Sequence, residues 1–136
     1  MERKNVKLLQ LADMKTPRVS VLLPVFNAAA TLTETLESIQ AQSCEDFEVV
    51  AIDDGSEDGS GDVLLEWGRR DHRFRVLLSD HRGIVEAPNR GLALCRGAYV
   101  ARMDADDRMQ PERLEKQLAW LEGDPNLSVV SCLVEI

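Results

Sequence analysis

Residues 47–56, FEVVAIDDGS, join a mostly apolar, β-prone segment to two adjacent carboxylates and a turn. The run from Phe47 to Ile52 has the length and composition of a strand buried inside a parallel sheet. Asp53, Asp54, Gly55 and Ser56 then break the pattern, as turn-forming residues do. A buried strand needs neighbours, and the sequence on either side supplies them.

Apolar and amphipathic segments alternate from residue 18 onwards. Further strands are predicted at residues 19–23 (ended by Pro24), 74–78, 98–103 and 127–134. Helices are predicted from Thr31 in a capping box with Glu34, through Val63 to Trp67, from Ile84 to Cys95, and from Pro111. This order predicts one α/β domain, residues 18–136, with a mainly parallel sheet and helices on both faces.

Composition excludes several classes of protein. The 136 residues suffice for one domain with a single core. No apolar run approaches the ~18 residues of a transmembrane helix, and no secretory signal follows Met1. The net charge of −8 argues against a nucleic-acid partner.

Two further features of the chain are assigned no function. Residues 1–17 are interpreted as a leader, in which Val6, Leu8, Leu9 and Leu11 could form a short helical turn before Pro17. The three cysteines are widely spaced and lack a CxxC pair, so we expect reduced thiols in a cytosolic protein.

Polar residues follow four successive predicted strands. Asn27 follows the first, Asp53 and Asp54 the second, residues 80–83 the third and residues 104–107 the fourth. Ligands of open α/β sheets bind outside the carboxyl ends of the strands. We therefore expect a ligand at this edge.

The segment Asp104-Ala105-Asp106-Asp107 is the most informative of these. Two carboxylates about 4–5 Å apart repel by about 3–4 kcal/mol at an effective dielectric near 20. They can splay into water, share a proton or bind a cation. Aspartate is common in loops, but a position directly after a buried strand favours a hard divalent cation such as Mg²⁺ or Mn²⁺.

Other candidate side chains have two interpretations each. Phe26 can cover a flat ring or pack into the core, and Arg82 and Arg90 can meet a diphosphate or pair with acidic loops. Asp58 or Ser60 can cap the next helix. The remaining aromatic candidates are interpreted as helix-packing tryptophans and surface histidines: Trp67, Trp120, His72 and His81.

Five stretches in this order and spacing resemble the inverting family 2 glycosyltransferases. They are residues 19–27, 36–42, 49–60, 89–92 and 97–107, followed by Pro111. The resemblance runs from Val19 to about Ile136. It implies the Rossmann-like GT-A fold, which binds a nucleotide-diphospho-sugar.

The resemblance also assigns roles to individual residues. Pro24 to Asn27 would line a uracil pocket, Asp54 would contact the base and Asp53 would line the same pocket. Asp104 and Asp106 would hold the ribose and a divalent metal, Mn²⁺ or Mg²⁺, with Asp106 the direct ligand. The complete predicted nucleotide-sugar site is Pro24, Val25, Phe26, Asn27, Asp53, Asp54, Arg82, Asp104, Ala105 and Asp106.

The sequence departs from the family pattern in two places. Ala87-Pro88-Asn89 replaces the common Ala-Arg-Asn and lacks its basic group, which leaves contacts to the donor's sugar or phosphate open. Phe26 replaces the commoner tyrosine and lacks its hydroxyl. Such enzymes also carry their general base and acceptor site in a later segment, so we expect a truncated chain with no catalytic base of its own.

The prediction is therefore a metal-assisted, inverting transfer of sugar, with UDP as the expected donor nucleotide and a saccharide or lipid-linked acceptor. A cytoplasmic location is expected, and a peripheral position at the membrane is left open. The alternative is a non-catalytic nucleotide-binding or regulatory module of the same fold. A phosphoacceptor domain would need acidic residues after the first strand, and a sugar nucleotidyltransferase a glycine-rich basic loop there; neither is present.

Overall fold

A computed structural model describes residues 15–135. Within this range strands and helices alternate as β1 (Val19–Val25), α1 (Ala29–Gln40), β2 (Phe47–Asp54), α2 (Ser60–Arg70), β3 (Phe74–Ser79), α3 (Glu86–Leu94), β4 (Tyr99–Arg102) and α4 (Arg113–Gly123). Most of the predicted leader, including Val6, Leu8, Leu9 and Leu11, lies outside the described residues.

The strands form one parallel sheet in the order β3-β2-β1-β4. Val21 pairs with Val49 on one side and with Ala101 on the other, so β1 is a central strand. All eight residues of β2 are buried, which explains why residues 47–52 are continuously apolar apart from Glu48. The predicted parallel sheet is confirmed.

Helices cover both faces of the sheet, as predicted. The larger core lies between one face and three helices, with Leu36 of α1, Leu64 of α2 and Leu118 of α4 at its centre. On the opposite face, α3 packs against Val50 and Ile52 of β2 through Ala87. Pro88 lies in the first turn of α3, where its missing N–H is tolerated.

The first strand runs past Pro24 and ends at Val25. The carbonyl of Leu22 accepts a hydrogen bond from Met103 N, so the backbone of Leu22, and of Pro24 two residues later, faces β4. Pro24 has no N–H to donate on this side, and β4 ends at Arg102. Proline is therefore compatible with the end of β1.

The prediction of a fifth strand at residues 127–134 is wrong. This segment has no strand structure, and Val129, Leu133 and Val134 are between 75% and 100% exposed. An isolated strand leaves its backbone groups unpaired, and no described strand lies beside this segment. Apolar composition alone therefore misled the assignment.

Two predicted helix starts and one packing assignment are also wrong. The first helix begins at Ala29, so Thr31 lies inside it and forms no capping box. The last helix begins at Arg113, two residues after Pro111. Trp67 is buried as expected, whereas Trp120 is 67% exposed on α4.

A buried carboxylate joins three strands at the amino edge of the sheet. Glu48 is 2% exposed and accepts hydrogen bonds from Ser20 Oγ (2.7 Å), Arg96 N (2.8 Å) and Arg75 Nη1 (2.9 Å). Arg96 Nη2 adds a second charged contact at 2.8 Å. Burial alone would raise the pKa of Glu48, but these hydrogen bonds lower the pKa to about 2. Glu48 is therefore ionised in the folded protein.

Within the described residues, no helix has the length and apolar content needed to cross a membrane. The cysteine thiols are free: Cys44 and Cys95 are half-buried and Cys132 is exposed. Burial raises the pKa of Cys95, so this thiol is protonated near neutral pH.

Candidate functional site

The strand order brings four polar segments to the carboxyl edge of the sheet. The segment after β3 lies next to Asp53 and Asp54, and these lie next to the segment after β1, because Val25 pairs with Asp53 and Ser79 with Asp54. The segment after β4 follows on the far side of β1. The predicted convergence at one edge is therefore confirmed by the topology.

Asp54 holds the loop that follows β3. Its Oδ1 accepts a hydrogen bond from Arg82 N at 2.7 Å and its Oδ2 from Gly83 N at 2.9 Å. His81 Nδ1 also lies 2.9 Å from Oδ2. Burial alone would raise the pKa of Asp54, but the two amides and His81 together lower it. Asp54 is 3% exposed and stays ionised at neutral pH.

The Asp54-Gly55 turn packs directly on this loop. A Cβ at Gly55 would lie 2.7 Å from His81 N, and Gly55 has a φ of 75°. Both facts require glycine at this position. The close approach fixes the backbone of residues 81–83 beside the end of β2.

Asp53 is also buried, at 5% exposure. Its Oδ2 accepts a hydrogen bond from Ser56 N at 3.2 Å, whereas its Oδ1 has no hydrogen-bond partner among the described residues. An unpaired buried carboxylate oxygen is costly and uncommon. Asp53 therefore retains an acceptor that the described protein groups do not use.

Phe26 stacks on His81. The two ring centroids are 4.3 Å apart with an interplanar angle of 25°, and Phe26 remains 49% exposed. Core packing of Phe26 is thus not observed, and the ring forms part of an open surface at the sheet edge. His81 is exposed, as predicted for a surface residue, but its contacts with Phe26 and Asp54 could not be found from sequence.

The loop from β1 to α1 is held by the segment after Asp54. Backbone N–H groups of Asn27, Ala28 and Ala29 donate to Ser56 Oγ, Ser60 Oγ and Asp58 Oδ2, each at 2.9 Å. Asp58 Oδ1 also accepts from Ser60 N at the start of α2. The N-cap of α2 is Gly59 and has no side-chain cap hydrogen bond, so the predicted capping by Asp58 or Ser60 is not observed. Hydrogen bonds lower the pKa of Asp58, and the one from the Ser60 hydroxyl has the largest effect.

Three predicted site residues lie in this loop or at the end of β1 just before it. Asn27 adopts a φ of 47° and accepts a hydrogen bond from Glu57 N through its Oδ1 at 2.9 Å, so its side chain supports the loop. Val25 is 1% exposed within the core, and only its backbone can face a ligand. Pro24 is partly buried beside it.

The segment after β4 presents three carboxylates to solvent. Asp104, Asp106 and Asp107 each offer an oxygen, and these oxygens lie within 4.8 Å of one another. Ala105 between them is 8% exposed and packs into the larger core, so it anchors the loop while its neighbours are exposed. An all-oxygen, anionic donor set of this kind fits Mg²⁺ or Mn²⁺.

Asp104 and Asp106 differ in their surroundings. Asp104 Oδ1 lies 3.3 Å from Arg102 Nη2 in an exposed ion pair. Asp106 forms no ion pair with any residue from 15 to 135. Asp106 therefore has the carboxylate more available to a cation.

Arg82 lies at the opposite end of the edge, beyond β3. Its side chain is 3.8 Å from Glu86 and, with Arg90, lines an open pocket of about 390 Å³ next to Asp80. The predicted pairing of Arg82 with an acidic residue is observed, and its contact with a diphosphate stays a prediction. The structure joins Phe26, Asp54 and the Arg82 backbone in one cluster and places Asp104 to Asp106 on the other side of β1.

Comparison with known proteins identifies the family of this domain. Residues 20–136 match the family described as Glycosyl transferase family 2. Chondroitin synthase of Escherichia coli is 32% identical over 128 residues, which cover 94% of this chain and 19% of that protein. The chain spans less than half the length of each of the first curated relatives it matches.

Two solved structures have the same fold. The mannosyltransferase PcManGT from Pyrobaculum calidifontis, in complex with GDP-Man and Mn²⁺, matches with a TM-score of 0.77 and 30% identity over 90% of this chain and 37% of that chain. S. aureus TarS 1-349 in complex with UDP-GlcNAc matches with a TM-score of 0.68 and 28% identity over 78% of this chain and 31% of that chain. The sheet is therefore that of a GT-A domain, and the chain belongs to glycosyl transferase family 2.

Proposed function

We propose that the protein transfers a sugar from a nucleoside diphosphate donor to an acceptor hydroxyl, with metal assistance and inversion. The described domain supplies the donor and metal site. The observation that carries this proposal is the exposed carboxylate triad Asp104, Asp106 and Asp107. The triad follows β4, which lies next to β1, and Phe26 lies in the loop from β1 to α1.

Asp106 is proposed as the direct metal ligand, with Asp104 nearer the donor sugar and ribose. A Mn²⁺ or Mg²⁺ held by these carboxylates would supply positive charge that stabilises the departing diphosphate. The protein's own contribution is to hold the two carboxylates at a fixed edge of the sheet. The Mn²⁺ in the PcManGT complex supports this choice of cofactor.

The nucleobase of the donor is proposed to lie against Phe26, near Asp53 and Asp54. A carboxylate has about four acceptor sites, and the three donors from residues 81–83 leave Asp54 room for one N–H of a base. The hydrogen bonds that hold residues 27–29 and the buried Asp54 preorganise this surface. This preorganisation reduces the entropic cost of binding. UDP is proposed as the nucleotide, and the UDP-GlcNAc complex of TarS supports it.

The residues named above bind the donor and the metal, and none of them is assigned to the acceptor or to general-base catalysis. We propose a saccharide or lipid-linked acceptor and action in the cytoplasm, and we propose none of the described residues as the general base. The match covers 36% of one relative and 42% of another, so these relatives have room for such a base outside the matched segment. No described contact favours the non-catalytic alternative.

Replacing Phe26 by alanine should weaken binding of UDP, in the presence of Mn²⁺, by roughly tenfold. Stacking of a base on an aromatic ring is worth about 1–3 kcal/mol, and Phe26 offers the half-exposed ring at this edge. Calorimetric titration with UDP and with GDP would measure the loss and compare the two bases.

Two controls separate stacking from general damage. Pyrophosphate lacks a base, so its Mn²⁺-dependent binding should be the same in Phe26→Ala and in the wild-type protein. Trp120→Ala removes an exposed aromatic from α4 and should leave UDP binding unchanged. Equal UDP affinity in Phe26→Ala and wild type would refute the proposed base position.

A further inference from the structure

A line of polar side chains on α1 meets the segment that carries the carboxylates. Thr31, Thr35, Ser38 and Gln42 are spaced by four, three and four residues, so they share one side of the helix and its C-terminal extension. We name these four residues the polar stripe. Thr35 is 1% exposed and Gln42 4% exposed. Buried polar groups need hydrogen-bond partners, and here the partners identify what the polar stripe holds.

The two threonines bind the carbonyl groups on either side of Asp106. Thr31 Oγ1 lies 3.0 Å from Ala105 O. Thr35 Oγ1 lies 2.7 Å from Asp107 O and 2.9 Å from Ala105 O. Each hydroxyl has one proton to donate, so the distances assign Thr31 to Ala105 and Thr35 to Asp107.

The remainder of the polar stripe continues along the same segment. Ser38 Oγ accepts a hydrogen bond from Met109 N at 3.0 Å. Gln42 Nε2 donates to Gln110 O at 2.8 Å, and Gln42 Oε1 accepts from Leu114 N at 3.1 Å. Residues 105–114 are thus tied to the helix through their backbone, in a region that lacks strand pairing.

We propose that Thr35 is a positioning residue for the metal site, acting through the backbone on both sides of Asp106. This inference rests on the proposed role of Asp106 as the metal ligand. The Thr35 hydroxyl holds the Asp107 peptide, and Thr31 holds the Ala105 peptide, so the Asp106 Cα has fixed anchors before and after it. Loss of such outer partners typically weakens metal binding by about 10–100-fold.

The test is the Mn²⁺ affinity of the whole chain, measured without nucleotide from the electron paramagnetic resonance signal of free Mn²⁺. Thr35→Val keeps the shape and removes the hydroxyl, and it should weaken Mn²⁺ binding about tenfold. Thr35→Ser should restore the affinity because the hydroxyl returns. Thr33→Val makes the same change on the exposed side of α1 and should have no effect.

A purely structural role would lower stability and leave the Mn²⁺ affinity of the folded protein unchanged. If Thr35→Val does not fold, Thr31→Val at a half-buried position removes the donor to Ala105 O and should weaken Mn²⁺ binding in the same direction. Equal Mn²⁺ affinity in Thr35→Val and Thr33→Val would overturn the proposed role of Thr35 and leave the proposed metal site standing. Failure of the wild-type protein to bind Mn²⁺ would overturn the metal site, and this inference with it.

Discussion

Glu48→Gln should lower the free energy of unfolding by about 3 kcal/mol, the lower end of the range for breaking a buried ion pair. The carboxylate is 3% exposed at its side chain and accepts from Ser20, Arg75 and the Arg96 backbone. A glutamine amide would direct an NH₂ group at one of these donors. Because Arg75 and Arg96 are about one-third exposed, they can regain water, which keeps the loss near the lower end.

The effect should depend on pH with a definite sign. The pKa of Glu48 is lowered from 4.5 to about 2 in the folded protein. Its contribution is therefore fully present above pH 4.5 and is lost as the pH falls from 4.5 towards 2. Urea unfolding of both proteins at pH 7 and near pH 3 would show the difference shrinking at the lower pH.

Glu66→Gln is the matched control for this prediction. Glu66 also contacts two arginines, Arg69 at 3.2 Å and Arg70 at 3.0 Å, but its side chain is 47% exposed. Exposed pairs contribute roughly 0–1 kcal/mol, so the control should change stability little. Similar losses in the two variants would show that burial of Glu48 is not what gives the ion pair its strength.

Asp106→Asn should reduce Mn²⁺ affinity by more than the roughly 10–100-fold expected for outer partners of a metal ligand. The change removes one charge from a triad whose oxygens lie within 4.8 Å, and it leaves the side-chain size unchanged. Asp104→Asn should have a smaller effect because Asp104 is already paired with Arg102 at 3.3 Å. Titration of free Mn²⁺ by electron paramagnetic resonance measures all three proteins.

Asp62→Asn provides the control for net charge. Asp62 is an exposed carboxylate in the first turn of α2 and lies outside the triad. Its variant should bind Mn²⁺ as the wild-type protein does. If Asp106→Asn and Asp62→Asn bind Mn²⁺ equally well, general electrostatic attraction explains the binding and Asp106 is not a ligand.

Local patterns predicted much of the fold. The sequence predicts β1 and β2 because their residues are mostly apolar, which is what burial on both faces requires. The edge strands β3 and β4 are partly exposed and are predicted from shorter apolar runs. The same rule failed at residues 127–134, since an apolar run becomes a strand only where a partner backbone lies beside it. The start of α1 was misplaced for a related reason: Asp58, 29 residues away, accepts from Ala29 N, and no local pattern reveals such a partner.

The candidate site also combines features that local sequence patterns predict with contacts that they do not. Its position could be predicted, because parallel strands bring their carboxyl ends to one edge. The supporting contacts could not be. The sequence predicts only turn or capping roles for Ser56, Asp58 and Ser60, yet these side chains hold the backbone of residues 27–29. The spacing of Thr31, Thr35 and Ser38 is visible in the sequence, but what they face depends on how α1 packs.

The most direct measurement of the proposed donor site is calorimetric titration of the chain with UDP, in Mn²⁺ and again in a chelator. We predict binding that requires Mn²⁺, because the triad cannot face a diphosphate without a cation between them. Binding of equal affinity in the chelator would contradict the role of the triad. A folded sample that binds none of UDP, GDP or dTDP in Mn²⁺ would contradict the donor site itself.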